Sequence, residues 1–325
     1  MAKKYPGIPQ PSIFKLSKND LLNSLEKIDS CSETRSRILK IENELEKKIS
    51  SHINSMVPSC SNLRDFNTSP YVVLIHAKKR NYLTIRELEN DILPAKEFSS
   101  METAAGKMIE DVLLPVYGWE TVPSGMHSVY SSIDGKKIDS GILHLATLKS
   151  GPRCLNDEMS ENFADNIINN FLTWASDSNV KHIEFTYGVL YGTQRQSNKK
   201  DWHILRKIKE KLRGNDIIIN PDGNWNCKFK KDGITVNVHI RIGCQWWEHL
   251  GGKTCTLELA SALIRSCINA NANLIDKVEQ SYSICDLEKI VSTKEIPDNY
   301  NVSILQKNQL PWLFFFMYHF CDQFE

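Results

Sequence analysis

No two of the nine cysteines are spaced as C-x-x-C, and their number is odd. A zinc ribbon and a disulfide framework are both excluded by that pattern, which leaves free, mostly buried thiols of a reducing cytoplasm. A long apolar run is missing too. The most apolar stretch, LPWLFFFMYHF at 310–320, has 11 residues and is too short to span a bilayer, so it reads as a core element or a subunit interface. MAKKYPGIPQ at the start lacks the apolar run of a signal peptide. A cytoplasmic location and no membrane partner are therefore expected. There is no excess charge of either sign: 40 basic residues stand against 39 acidic ones, for a net charge of +1. Nucleic acid is neither advertised nor excluded as a partner, because local patches matter more than the sum. Repeats and low-complexity tracts are absent as well.

What is present is an ordinary globular composition, 41% hydrophobic and 24% charged, over 325 residues. Three prolines in residues 1–16 suggest an extended arm. Ile38, Ile41, Leu45, Ile49, Ile53 and Met56 recur at helical steps, after a break near SCSET where Ser32 can cap the second of two helices. That seam suits intramolecular core and a dimer interface equally. PYVVLIHA (70–77) fits a short buried strand or a helix. METAAGKMIEDVLLPVYGW (101–119) reads as a helix ended by Pro115 and Gly118. Strands are expected at about 128–138, 142–149 and 181–192, with a helix at 160–176. A basic helix follows at 201–214, with Gly214 as its C-cap; DIIIN, NCKFK and ITVNVHIRIG supply further strands and TLELASALIRSCINANANLID a further helix. The order implies an α/β fold: a mixed central β-sheet flanked by helices, with a helical N-terminal extension.

The segment IDGKKIDSGILHLATLKSG carries the chemistry. DSG is a tight-turn sequence. Folding back there pairs Ile138 with Ile142 or Leu143 and brings Asp134 opposite residues 146–147. Thr147 and Lys149 share a strand face, so Asp134 converges on both, whereas Asp139 sits at the far end on the turn. An acid facing a strand-borne lysine suits hydrolysis of a phosphodiester with Mg²⁺, a hard cation that takes oxygen ligands and keeps several waters. One carboxylate is a thin site, and Thr147 offers a hydroxyl without charge. Glu102, Gly106 and Glu110 follow at four-residue steps on the 101–119 helix. Glu110 is the first candidate for the extra acid and Glu161 the second. Spacing alone also fits a solvated hairpin edge.

Several segments, in order, resemble the PD-(D/E)xK nuclease superfamily, and more narrowly the type II restriction endonucleases that cut interrupted GG…CC palindromes. They are GKMIEDVLLPVYG, the hairpin segment above, GVLYGTQRQSNKKDWHILRKI, and VNVHIRIGCQWWEHLGG with the helix after it. The resemblance covers about residues 100–270. It implies that Asp134 is the metal-binding Asp and Lys149 the catalytic Lys, while Thr147 stands where the superfamily has Asp or Glu. It further implies Asp134, Glu110 or Glu161, and the backbone carbonyl of Leu148 as ligands of Mg²⁺, and 5′-phosphate and 3′-hydroxyl products. The domain reading that follows is a helical region at 1–98 with a possible role in dimerisation, a catalytic and DNA-binding core at 99–290, and a tail at 291–325 packing on the core or on a partner subunit.

TQRQSNKKDW (193–202) is the expected DNA-reading loop. Arg pairs with guanine and Gln or Asn with adenine, while Lys holds phosphates. Gln194, Arg195, Gln196, Asn198, Lys199 and Lys200 are the candidates, Arg195 first, with Arg153 placed to reach the scissile phosphate or a base. A solvated surface loop is the plain alternative. The adjacent tryptophans of CQWWEHLGG favour structure over base stacking, and His127 and His249 have no partner at ligand spacing. The sequence therefore suggests a Mg²⁺-dependent restriction endonuclease acting as a homodimer on double-stranded palindromic DNA, with a cognate DNA methyltransferase in the same system. The alternatives are a structure-specific repair or recombination nuclease and an inactive DNA-binding protein on the same scaffold.

Overall fold

The computed structural model describes residues 8–9, 11, 13–55, 70–123, 128–212, 218–219, 225–268, 270, 284, 286–298 and 300–325. A two-residue strand, β1 (Lys15–Leu16), leads into α1 (Lys18–Ser30), where the Ser17 hydroxyl caps by accepting the Asp20 N–H at 3.1 Å. A break at Cys31 separates it from α2 (Ser32–Ser55). The first three residues of the α2 seam, Ile38, Ile41 and Leu45, are buried as core within the chain. Ile53 is exposed, and Met56 lies outside the described residues.

PYVVLIHA resolves as a helix, α3 (Pro70–Arg80), none of whose residues is buried. The next helix, α4 (Glu89–Val116), starts 12 residues earlier than its apolar pattern suggests and runs through Pro94. It ends with Pro115 in its last turn, just ahead of Gly118 in the left-handed region.

The sheet then forms from β2 (Glu120–Thr121), β3 (Gly135–Asp139), β4 (Ile142–Lys149), β5 (His182–Val189), β6 (Ile218–Ile219), β7 (Asn226–Lys231) and β8 (Ile234–Ile242). Helix α5 (Asp157–Asp177) links β4 to β5, and α6 (Lys200–Leu212) follows β5. The Gly214 cap falls outside the described residues. Strand order is β2-β3-β4-β5-β8-β7-β6, with β4, β5 and β8 parallel and the other pairs antiparallel. This is the mixed sheet flanked by helices that the sequence implies. The first expected strand is shorter than read, since most of 128–134 is turn.

Side chains alternate across a strand, and β4 shows what covers each face. Leu143 and Leu145 bury with Ile167 and Phe171 of α5 and Leu205 of α6. Ala146 and Leu148 bury with α1, α2 and α4. The second core also contains α7 (Cys244–Gly251), α8 (Cys255–Cys267) and α10 (Leu310–Tyr318). The apolar run at 310–320 is thus core of its own chain. Beyond α9 (Leu287–Val291) and α10, β9 (Gln323–Phe324) pairs in parallel with β1. Among the described cysteines all are free; Cys227, Cys255 and Cys321 are buried, while Cys31, Cys154 and Cys267 are exposed. No described helix is long and apolar enough to cross a membrane.

Lys149, Val189 and Ile242 are register partners, so the three parallel strands end in one row. Ligands of open α/β sheets bind at such a carboxyl edge. Gly243 turns the chain there with φ of 58°. A Cβ on it would stand 2.1 Å from the Gly192 carbonyl oxygen. Gly243→Ala is expected to destabilise the protein by about 3 kcal/mol or more, because backbone strain and a backbone clash coincide. Gly141→Ala, in open space at φ of 77°, is expected to lose only about 1 kcal/mol. Paired thermal melts compare them; equal losses would refute the crowding at Gly243.

Candidate active site

Ser140 and Gly141 turn the β3–β4 hairpin with φ of 49° and 77°. Two left-handed residues make a type I′ turn, whose twist suits a two-residue hairpin. The ladder then pairs Ile138 with Leu143 and Gly135 with Ala146. One step on, the Asp134 N–H donates to the Ala146 carbonyl at 2.8 Å. There β3 gives way and the Asp134 side chain replaces backbone as acceptor: Oδ2 takes the Leu148 N–H at 2.7 Å. The carboxylate is thereby fixed at the open edge of β4, next to Lys149 in sequence. Asp139 stays exposed on the turn, accepting from the Ser140 hydroxyl at 3.0 Å.

Helix α4 crosses the ends of β4 and β5. A Cβ on Gly106 would meet Ser150 at 3.7 Å and Leu190 at 4.0 Å, ordinary contacts, so close approach does not demand glycine at that position. One turn later Glu110 is 9% exposed. Burial pushes its carboxyl up to about 7, and the charge of Asp134 adds to the rise, against the pull of Lys107 and Lys149. Lys107 lies 3.5 Å from Glu110 and 3.2 Å from Asp111. Burial opposes its charge, but Asp111, Glu110 and Asp134 outweigh that and hold its ammonium above the usual range. The Lys149 ammonium lies 5.8 Å from the centre of the Phe163 ring. Two carboxylates and two ammonium groups thus share one electrostatic neighbourhood at the head of β4. Sequence reasoning missed Lys107, although its place three residues before Glu110 on one helix was a usable signal.

Two expected residues do other work. The Thr147 hydroxyl is buried and donates to the Ser132 carbonyl. It ties down the segment that leads into Asp134 and faces away from solvent. Glu161 pairs with Lys211 at 3.1 Å and Lys207 at 3.3 Å, between α5 and α6; those lysines hold its carboxyl below the usual range. Among the described residues no three His, Cys, Asp or Glu side chains gather as a metal cage. What the hairpin and α4 offer is oxygen: Asp134 and the Leu148 carbonyl, which leaves β4 on the same side as the Leu148 N–H, and Glu110 from the helix. Repulsion between the buried Glu110 carboxylate and the half-buried Asp134 carboxylate, with oxygen as the donor type, fits a hard dication that keeps part of its water.

The 193–200 loop is mostly closed on itself. Gln196 Oε1 accepts the Thr193 N–H at 3.1 Å, and Asn198 Nδ2 donates to the Leu155 carbonyl at 2.9 Å. Lys199 Nζ donates to the Gln194 carbonyl and sits 5.3 Å over the Trp225 ring, where burial lowers its pKa. Lys200 pairs with Asp157. Arg153 Nε donates to the Gln196 carbonyl at 3.1 Å, and Gln194 Nε2 to Gln245 Oε1 at 3.3 Å. These bonds set the loop's shape. Arg195 is exposed on it. Trp246 and Trp247 are both fully buried, so neither is a stacking platform. His249 packs against Trp119, Trp246 and His144, and His127 lies outside the described residues.

A family model described as type II restriction endonuclease EcoO109I matches residues 41–215, from α2 past the end of α6. The curated proteins include no match to the chain. The matched stretch contains Glu110, Asp134, Lys149 and the 193–200 loop.

Proposed function

The chain belongs to the family of the type II restriction endonuclease EcoO109I, site-specific deoxyribonucleases that bind DNA, and from that premise we propose that it cuts double-stranded palindromic DNA with Mg²⁺ at the head of β4. The observation that carries the reading is the Asp134 carboxylate locked on the Leu148 N–H with buried Glu110 across from it. Asp134, Glu110 and the Leu148 carbonyl would hold the ion. When bound, Mg²⁺ polarises the phosphate as a Lewis acid and offsets its charge. Lys149 Nζ orients the attacking water and stabilises charge building on the phosphate oxygens. The water oxygen bonds to phosphorus and gives up a proton to solvent as the bond to the 3′ oxygen breaks, and that oxygen takes a proton from solvent water, leaving 5′-phosphate and 3′-hydroxyl ends. Thr147 supports this indirectly, by fixing Ser132. Arg195 reads a base, and the other polar residues of 193–200 hold the loop that presents it. GG…CC specificity remains part of this proposal through the sequence resemblance, and the cognate methyltransferase acts on the same DNA sites with no direct contact.

The test is incubation of phage DNA with Mg²⁺ or with EDTA. Discrete, Mg²⁺-dependent fragments are expected. Smears or structure-dependent nicks would support a repair nuclease, and binding without cleavage an inactive scaffold. Glu161→Ala is expected to cut at the wild-type rate while Glu110→Ala loses cleavage, read in the same digest; the reverse pattern would move the second acid to α5.

A palindrome calls for a two-fold protein. Support for a homodimer comes from α3, the connection after it and the first half of α4, where Tyr71, Val72, Leu74, Ile75, Leu83, Ile85, Phe98 and Met101 are each 41% to 93% exposed. At roughly 200 Å² per large side chain this is about 1,000 Å² of apolar surface, against the about 800 Å² that each partner of a stable complex covers. A Leu74→Glu, Ile75→Glu double variant is expected to sediment as a monomer and to lose double-strand cleavage. A dimer that survives it would put the interface elsewhere.

A further inference from the structure

A second concavity lies on the same carboxyl edge. Leu148, Gly188 and Arg241 are register neighbours on β4, β5 and β8, so Arg241 is two strand spacings, about 10 Å, from Leu148. Trp246 stands between them, since a Cβ on Gly188 would come within 2.9 Å of its ring. Beyond that ring is a cavity of about 450 Å³ lined by Asn226, His239, Arg241, Gln245, Glu248 and His249.

Its lining holds one guanidinium, Arg241, and one carboxylate, Glu248. Arg241 donates to Thr186 Oγ1 at 2.6 Å, and among the described residues it has no carboxylate in direct contact. Glu184, the acid that acts on it through space, is occupied elsewhere. It accepts from Asn237 at 2.5 Å and pairs with His239 at 2.6 Å and His182 at 2.9 Å. Glu248 sits exposed on the rim. His249 Nε2 is buried with no hydrogen-bond partner. Burial pushes the Arg241 guanidinium down to about 10 and the His249 imidazole to about 3, the latter also through the charges of Arg241, His144 and His239. A half-buried guanidinium without its own carboxylate, beside amide donors from Asn226 and Gln245, forms a receptor for a tetrahedral anion. Gln245 also accepts from Gln194, which joins the cavity to the 193–200 loop.

We propose that this cavity receives a backbone phosphate of the bound DNA, away from the scissile one, with Arg241 as its fork. The proposal rests on the DNA-cutting function above. It predicts that Arg241 contributes affinity and salt dependence without sequence preference, as phosphate contacts do. The test is binding of cognate and scrambled duplexes, in EDTA, over a range of salt, by wild type, Arg241→Gln, Arg241→Lys and Gln245→Ala. Arg241→Gln is expected to weaken both duplexes about tenfold or more and to reduce the salt slope by about one. Arg241→Lys, which keeps the charge and loses the fork, is expected to fall between it and wild type, and it decides the matter if the Gln variant does not fold. Gln245→Ala should weaken both duplexes equally and keep the slope. A folded Arg241→Gln with unchanged affinity and slope would overturn the assignment. So would inorganic phosphate raising the wild-type Tm while the DNA slope stays the same, which would assign the cavity to free phosphate. Wild type that binds neither duplex would defeat the DNA-cutting reading instead.

Discussion

Asp134→Asn and Lys149→Ala are each expected to lower cleavage by about 10³-fold or more, the scale seen when a charge-stabilising group is removed from a site of this kind. DNA binding should stay within a few fold of wild type, about 1 kcal/mol. Asn is the better probe at 134. It removes the negative charge but keeps an oxygen to accept the Leu148 N–H, the bond that finishes the hairpin. Ala would also leave that amide unpaired, at about 1–3 kcal/mol, and mix folding with chemistry. Single-turnover cleavage and fluorescence anisotropy separate the two effects. Asp139→Ala should cut normally. If it is dead while Asp134→Asn is active, the hairpin assignment is wrong.

The second large effect is on stability. Glu110 has its carboxyl at about 7 in the folded protein, raised by burial and then by Asp134, from an ordinary value of 4.5. A raised carboxylate means that the native state holds a proton which the unfolded chain has already lost. Stability from this group is therefore complete below about 4.5, falls as pH rises through the window to about 7, and stays low above it. The loss is roughly 3 kcal/mol. Glu110→Gln should remove it, raising Tm at pH 8 by roughly 6 °C while changing it little at pH 5. Added Mg²⁺ should raise the wild-type Tm at pH 8 and leave that of Glu110→Gln almost unmoved. Melts at the two pH values, with and without Mg²⁺, check this. A Gln variant that is less stable at pH 8 would show that the Glu110 charge is favourably paired in the fold, not strained. Activity is lost as stability is gained, as at other sites that gather like charge.

The hairpin was legible because its register depends on local chemistry. DSG marks a tight turn, counting back along the ladder puts Asp134 opposite residues 146–147, and the observed register selects Thr147. Glu110 was half legible: helical spacing put it on a face, but only the packing of α4 over β4 set that face against Asp134. The bond made by Thr147 was not legible because its partner, the Ser132 carbonyl, lies 15 residues away in a turn without a pattern. The internal bonds of the 193–200 loop were hidden for a related reason. Gln196, Asn198 and Lys199 are the right residue types for DNA, and the same donors and acceptors are what an irregular loop needs to satisfy its own backbone. The start of α4 was hidden by Pro94, which usually ends a helix.

Helix α4 carries Phe98 and Met101 on exposed positions and Glu110 three turns further on, about 18 Å along one continuous axis. A subunit that docks at the first place grips the rod that holds the acid at the second. In the proposed dimer, a partner docked at Phe98 and Met101 would hold the same helix that carries Glu110, and so would link pairing of the copies to cleavage.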